Sequence, residues 1–180
     1  TDRYNLTGAD RRLIVTAAAL HDIGRMAIDA RILNAPDPTP EQKAILRTHT
    51  ILGAQMLENL SQYQDEPLVK FALQICRWHH ERWDGSGFPD GLKGDSIPIA
   101  AQVVSLADAY DSLVGKGDKH LALPQAQAIA ELEAGTYGAF NPLLLECLRD
   151  VKDRLAEEAG MDTPAPPPEK RLPFDETSLG

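Results

Sequence analysis

Cysteine and long hydrophobic runs are scarce in this sequence. The two cysteines, Cys76 and Cys147, both lie in apolar helical patterns, which argues for a reducing compartment and against a disulfide-rich secreted domain or a cysteine-based zinc site. No apolar run approaches the roughly 18 residues of a membrane-spanning helix, and the N-terminal segment lacks the pattern of a cleaved signal peptide. We therefore expect a cytoplasmic protein that does not enter a membrane.

Basic residues are also in the minority. The chain has 18 lysines and arginines against 27 acidic residues, which gives a net charge of −9. Proteins that bind duplex nucleic acid are generally basic, because they neutralise backbone phosphates. The composition therefore argues against duplex binding. A small anionic substrate is compatible with it if a metal ion supplies local positive charge.

The alternating pattern of a half-buried strand is missing, and every long periodic segment has the spacing of a helix. The 180 residues, of which 43% are apolar, suit one domain with enough core to fold without disulfides. We predict an all-α domain over residues 1–159. Residues 160–180 hold five of the 13 prolines and are predicted to form an extended or disordered tail.

Helical periodicity occurs in the segments 9–21, 40–60, 67–80, 96–114, 124–134 and 142–159. The second segment has a clear start signal, with a Thr39 cap, Pro40 at the first helical position and Gln42 three residues after the cap. Residues 84–95 are rich in glycine but include an aromatic residue and a proline. This composition indicates an ordered loop between helices and not a flexible linker.

Four histidines lie at or near the inner ends of apolar helical segments: His21, His49, His79 and His80. Asp22 follows the first of them, and Asp108 is embedded in an apolar helix, where a carboxylate is costly unless it is paired or binds a metal. Each residue alone is more commonly a hydrogen-bonded core residue. Together, however, imidazoles and carboxylates are the ligand set for iron, manganese and zinc. The combined pattern predicts a metal site, in which Asp22 is the candidate for a bridging carboxylate.

Four motifs carry a family resemblance. They are His21-Asp22-Ile23-Gly24-Arg25, then His49 with Gly53, then HHERWDGSGFPDGL over residues 79–92, and finally ADAYD over residues 107–111. In this order and at these spacings, the sequence resembles the HD-GYP branch of the HD metal-dependent phosphohydrolases over about residues 10–150. The third motif is long and specific, so chance is a poor explanation.

The resemblance implies an all-α HD-domain helical bundle with a two- or three-metal centre, most often of iron or manganese, and no organic cofactor. It implies hydrolysis of the bacterial second messenger cyclic di-GMP to a linear dinucleotide or GMP. Two transition-metal ions would also explain how an acidic protein accepts a substrate with two phosphates. Further implied features are an upstream receiver or sensor domain, partner signalling proteins and a homodimer.

The resemblance also implies roles for individual residues. The implied ligands are His21, Asp22 and Asp108 for the first metal, and Asp22, His49, His79 and His80 for the second. The implied catalytic residues are Asp22, as the bridge, and Arg25, at the position of the family's lysine. Gly87, Phe88 and Pro89 occupy the Gly-Tyr-Pro position and are implied to contact the substrate.

Departures from the family pattern predict weak turnover by this chain. Residues 1–20 contain no histidine, so we expect the first metal's ligand set to be incomplete unless residues upstream of Thr1 complete it. Phe88 replaces tyrosine, which removes a hydroxyl donor. Arg25 replaces lysine, which keeps the charge but changes a point donor into a planar fork.

Phosphate recognition is a further departure. Residues 117–120 read GDKH where the family has Arg-Pro-Tyr-Arg, so the arginines expected to hold phosphate are absent there. Lys116 and Lys119 are the predicted substitutes for substrate binding, with weaker contacts expected because a lysine does not offer the bidentate fork of an arginine.

Three functions remain open at this point. The first is a metal-dependent cyclic-dinucleotide phosphodiesterase. The second is a degenerate, weakly active or non-catalytic signalling module that acts through protein contacts, with the Gly-rich loop as its contact surface. The third is another HD phosphohydrolase that acts on a nucleoside monophosphate, against which the extended loop at residues 87–89 argues.

Overall fold

The computed structural model describes residues 4–115 and 123–158, and these residues form α-helices and no strand, which confirms the predicted all-α class. The helices are α1 (Gly8–Ala18), α2 (Ala30–Leu33), α3 (Pro40–Arg47), α4 (His49–Glu58), α5 (Pro67–Trp78), α6 (Ile99–Val114), α7 (Gln125–Glu133) and α8 (Pro142–Glu158). None of these helices is long and apolar enough to cross a membrane. The tail predicted for residues 160–180 lies outside the described part of the chain.

Two helices begin with the reciprocal capping that their sequences favour. At α3 the Gln42 backbone N–H donates to the Thr39 hydroxyl at 3.3 Å, and the Thr39 N–H donates to the Gln42 side chain at 2.8 Å. This confirms the predicted start at Pro40. Thr7 and Asp10 form the same arrangement at the start of α1. In each case two backbone donors that lack helical partners are satisfied by side chains.

The single helix predicted over residues 40–60 is wrong, because the chain breaks at Thr48 into α3 and α4. The Thr48 hydroxyl donates to the Ile45 carbonyl at 2.6 Å, and its backbone N–H donates to the same carbonyl at 3.0 Å. Local bonds of this kind compete with the regular helical ladder. As a result, His49 is the first residue of a new helix instead of a residue in the middle of a long one.

The core consists of two apolar clusters that meet at α6. The first cluster joins α1, α4, α5 and α6, and its fully buried members include Ala17, Ile75 and Cys76. The second joins α6, α7 and α8, around Leu132 and Phe140. Burial of this much apolar surface fixes the helices relative to one another, and the predicted ligands lie beside the first cluster.

One close backbone contact brings the turn after α1 against the start of α4. Gly24 is buried in the 3₁₀ turn Ile23–Ala27. A β-carbon on Gly24 would collide with the His49 carbonyl and the Gly53 backbone nitrogen. Only glycine fits at this point, so the His-Asp-Ile-Gly sequence places Asp22 next to His49.

Candidate metal centre

Three histidines reach the site from three different chain segments. His21 lies in the turn that follows α1, His49 begins α4, and His79 directly follows α5. In each ring Nδ1 contacts a backbone carbonyl: that of Ala18 at 2.8 Å, that of Leu46 at 2.7 Å and that of Ile75 at 2.9 Å. A carbonyl oxygen can only accept, so each Nδ1 carries the proton and donates it. This Nδ1-protonated tautomer leaves the lone pair of each Nε2 free, and it is the tautomer that binds metals through Nε2.

The free Nε2 atoms of His49 and His79 converge on Asp22. They lie 3.4 Å apart, and they lie 3.2 Å and 3.9 Å from Asp22 Oδ1. Asp22 Oδ1 is buried and accepts no hydrogen bond from any described residue. Burial lowers the pKa of His49, so its single ring proton stays on Nδ1. Three acceptors thus face one another without a donor, an unfavourable arrangement unless a cation enters.

His80 completes a group of three imidazoles. The ligand nitrogens of His49, His79 and His80 all lie within 4.8 Å of one another. Burial lowers the pKa of His79 to about 4, and burial together with the neighbouring His79 lowers that of His80 to about 2. Both rings are therefore neutral near pH 7, and the neutral imidazole is the form that binds a metal.

A second group lies on the other side of Asp22. His21 Nε2 lies 3.5 Å from Asp22 Oδ2 and 3.9 Å from Asp108 Oδ1 on α6. Burial raises the pKa of Asp108, although His21 opposes the shift. Arg25 Nε lies 2.9 Å from Asp22 Oδ2, so the guanidinium contacts the oxygen that a first metal would need. The structure thus brings the six predicted ligands together, with the two oxygens of Asp22 facing different groups.

The residues present fit a metal centre on structural grounds. The orphaned Asp22 Oδ1 and the inward-facing Nε2 atoms supply anionic and neutral ligands without competing donors. The separation of 3.4 Å between the His49 and His79 nitrogens also fits. Two nitrogens bound to one ion at about 2.1 Å would lie about 3.0–3.4 Å apart. Imidazole and carboxylate together suit iron, manganese and zinc.

The Gly-rich loop after the histidines is held by Glu81, a residue to which the sequence analysis gave no role. Glu81 is 2% exposed, and its carboxylate accepts three backbone N–H bonds, from Asp90 at 2.7 Å and from Gly91 and Leu92 at 3.0 Å. The Asp90 carboxylate in turn accepts bonds from Arg77. The only sequence signal for this role was the position of the glutamate, immediately after two histidines at the end of a helix.

The predicted substrate-binding loop lies against the histidines. Phe88 stacks on His80, with ring centroids 4.8 Å apart and planes at 26°. Gly87 packs so tightly that a β-carbon would collide with backbone atoms of residues 80–82. The Phe88–Pro89 peptide bond is cis. Lys116 and Lys119, the other predicted substrate contacts, lie outside the described residues.

Two pockets open beside the candidate ligands. One has a volume of about 230 Å³, and we call it the arginine pocket; it is lined by Arg25, Leu33, Leu46, Arg47, His49, His80 and Phe88. The other, of about 570 Å³, includes Arg82 and Asp108. A third pocket, of about 610 Å³ between α6 and α8, is mostly apolar and contains none of the predicted ligands. The two pockets that touch candidate ligands are therefore the relevant ones for chemistry.

Residues 1–141 match the family described as HD domain. The chain belongs to the HD domain family. Relatives include a cyclic di-GMP phosphodiesterase of Thermotoga maritima, 35% identical over 152 residues, a match that covers 82% of this chain and 40% of the relative. A 3'3'-cGAMP-specific phosphodiesterase of Vibrio cholerae is 36% identical over 151 residues, covering 83% and 28%.

A solved structure agrees with this assignment. An HDG"Y"P protein from Bdellovibrio bacteriovorus superimposes with a TM-score of 0.63 at 26% identity, covering 84% of this chain and 47% of that one. The HD domain described here is therefore of the HD-GYP type, as its motifs indicated. The chain spans less than half the length of each of these three proteins.

Proposed function

We propose that this HD domain is a metal-dependent phosphodiesterase that hydrolyses cyclic di-GMP. One observation carries the proposal: the buried Asp22 Oδ1 has no hydrogen-bond donor among the described residues and faces the lone pairs of His49 and His79. The relatives supply the substrate class, since they are a cyclic di-GMP phosphodiesterase and a 3'3'-cGAMP-specific phosphodiesterase. The extended loop at residues 87–89 argues against a nucleoside monophosphatase.

The cofactors in this proposal are two transition-metal ions, iron or manganese. His49, His79, His80 and Asp22 Oδ1 would hold one of them. His21, Asp108 and Asp22 Oδ2 would hold the other. When bound, such a pair of ions neutralises phosphate charge and makes water a better nucleophile at neutral pH.

The residues of the chain prepare the site for this chemistry. The carbonyls of Ala18, Leu46 and Ile75 hold three imidazoles in the tautomer that exposes Nε2. Asp22 is the only carboxylate placed between both ligand groups in the described chain. Arg25 orients Asp22 through Oδ2, while its side chain remains 56% exposed, so its remaining N–H groups are available to a substrate phosphate.

A weakly active or non-catalytic signalling module is the second candidate function. Its support is the first metal's ligand set, which has only His21, Asp22 and Asp108 in the described residues, with Arg25 already bound to Asp22. Three ligands would hold an ion weakly. In that case the Gly-rich loop, fixed by Glu81, would serve as a rigid contact surface for a partner protein.

Regulation and assembly belong to the same proposal. More than half of each relative lies outside the match, which leaves room there for a receiver or sensor domain. We propose that such a domain controls the activity, that the active form is a homodimer and that it works in the cytoplasm. Sedimentation of the intact protein tests the dimer, and a single monomeric species at working concentration contradicts it.

The function is tested by loading the protein with manganese or, anaerobically, with ferrous iron, and following cyclic di-GMP by chromatography. We expect hydrolysis that disappears in a His79→Ala/His80→Ala variant together with bound metal. His120→Ala, which changes the one histidine outside the ligand set, is the matched control. Metal retention without hydrolysis by the wild-type protein would favour the signalling module. Equal metal content in the wild-type protein and the double variant would contradict the proposed metal site.

A further inference from the structure

The arginine pocket is a positively charged site on an acidic protein. Both Arg25 and Arg47 line it, and no aspartate or glutamate does. The whole chain carries a net charge of −9. Asp22 pairs with Arg25 from outside the pocket lining, so Arg47 supplies the local positive charge that runs against the composition. The pocket also includes His49 and His80 from the candidate second-metal group, which places the two guanidinium groups beside the proposed reaction centre.

Arg47 is held in place but is not paired with a carboxylate. It ends α3, and its backbone carbonyl accepts a 3.0 Å bond from the Thr50 hydroxyl. Its guanidinium lies over the Phe88 ring, 5.1 Å from the centroid. Within the described residues no ion pair involves Arg47, whereas Arg25 is bound to Asp22. Stacking on an aromatic face orients a guanidinium without using its N–H groups, which stay available for an anion.

Phe88 connects this arginine to the candidate metal ligands. The Phe88 ring contacts the Arg47 guanidinium and also stacks on the His80 ring, with the two ring centroids 4.8 Å apart. A group bound by Arg47 would therefore lie next to the second-metal histidines. The pocket volume of about 230 Å³ is below the roughly 300–1,000 Å³ of sites that enclose a whole small ligand. It suits one phosphate and its sugar, with the rest of a dinucleotide outside.

We propose that Arg47, together with Arg25, forms a phosphate-binding subsite in the arginine pocket. It supplies the planar, bidentate recognition that the segment at residues 117–120 lacks in this chain. The identity of the nucleotide rests on the proposed function. The binding of phosphate by Arg47 requires only the pocket, so it can be measured on protein from which metal has been removed.

The test is calorimetric titration of chelator-treated protein with cyclic di-GMP, GMP and guanosine. Arg47→Gln removes the guanidinium, and Arg47→Lys keeps the charge without the fork. Lys43→Gln removes the same charge from an exposed position one turn earlier on α3 and is the matched control. Because charge-assisted hydrogen bonds are lost, we expect Arg47→Gln to weaken cyclic di-GMP and GMP binding about tenfold. Guanosine binding and the Lys43→Gln variant should be unchanged, and Arg47→Lys should be intermediate.

The outcomes separate this subsite from the proposed function. If metal-loaded Arg47→Gln hydrolyses cyclic di-GMP with an unchanged KM, the subsite is wrong and the enzyme proposal stands. If no hydrolysis occurs but GMP binding still depends on Arg47, the subsite stands and the enzyme proposal fails. Equal losses for guanosine and GMP would overturn the subsite, because they indicate that Arg47 acts only by packing on Phe88. Absence of nucleotide binding by the chelator-treated wild-type protein overturns the subsite, whereas the enzyme proposal is decided by hydrolysis in the metal-loaded protein.

Discussion

The two halves of the candidate centre differ in burial and in completeness. In the second-metal half the side chains of His49 and His79 are 5% and 0% exposed. In the first-metal half those of His21 and Asp108 are 28% and 34% exposed, and Arg25 contacts the shared carboxylate. The second-metal half is the buried one, and its candidate imidazole ligands are oriented and neutral before any metal arrives. The first-metal half is the open one, and a metal ion can bind there only if it displaces Arg25 from Asp22 or binds beside it. We therefore expect the two halves to differ in metal affinity.

Asp22→Asn should give the largest effect, because Asp22 belongs to both halves. An amide has no charge with which to bridge two ions, so metal binding and hydrolysis should both be lost. The metal-free protein should nevertheless gain stability, by about 1 kcal/mol, since the amide N–H₂ donates to a lone pair of His49 or His79. Urea unfolding of chelator-treated protein measures this. A loss of stability, or retained metal, would show that Asp22 does not join the halves.

Glu81→Gln should destabilise the Gly-rich loop that lies against the histidines of the buried half. The carboxylate accepts three backbone N–H bonds, and an amide nitrogen facing one of these donors leaves it unsatisfied. We expect a loss of about 1–3 kcal/mol in unfolding free energy. Glu146→Gln, at an exposed position on α8, is the control and should leave stability unchanged. Equal effects of the two changes would mean that the loop does not depend on Glu81.

Part of this organisation was predictable from the sequence. Local signals identified the helical class and the Thr39 cap, and the motifs pointed to the six candidate ligands that the fold brings together. Glu81 was missed because its three partners are backbone groups of a loop, which no side-chain pattern reveals. Arg47 was missed because its contact with Phe88 depends on how α3 packs. The break at Thr48 was hidden because a single hydroxyl bond interrupts an otherwise continuous helical pattern.

Acid should destabilise the metal-free protein through the buried half. Burial lowers the pKa of His79 from an ordinary 6.5 to about 4, so below pH 6.5 the unfolded chain takes up a proton that the folded chain does not. Stability present above pH 6.5 is thus lost progressively as the pH falls toward 4, by up to about 1.4 kcal/mol per pH unit.

Urea unfolding between pH 7.5 and 4.5 measures this dependence. His79→Leu removes the titrating group, so its stability should fall less steeply with acid than that of the wild-type protein. An identical pH profile for the two proteins would contradict the account of His79 as a neutral, desolvated ligand.

Asp108→Asn should have the smallest effect on folding. Burial raises the pKa of Asp108, which means that folding disfavours its charge, so a neutral amide should leave the stability of the metal-free protein unchanged or slightly higher. Metal occupancy and hydrolysis should fall, because the first-metal half loses an anionic ligand. Elemental analysis and urea unfolding together check this. A pure stability loss with unchanged metal content would make Asp108 a structural hydrogen-bond partner instead.

The most direct test of unequal halves joined by Asp22 is a titration of the wild-type protein, His79→Ala and His21→Ala with manganese or anaerobic ferrous iron. We predict two classes of site in the wild-type protein. His79→Ala should weaken metal binding at the tighter class by at least about tenfold. His21→Ala should keep the tighter class and lose only the weaker one. Loss of the tight class in His21→Ala, or equal losses in both variants, would contradict the account.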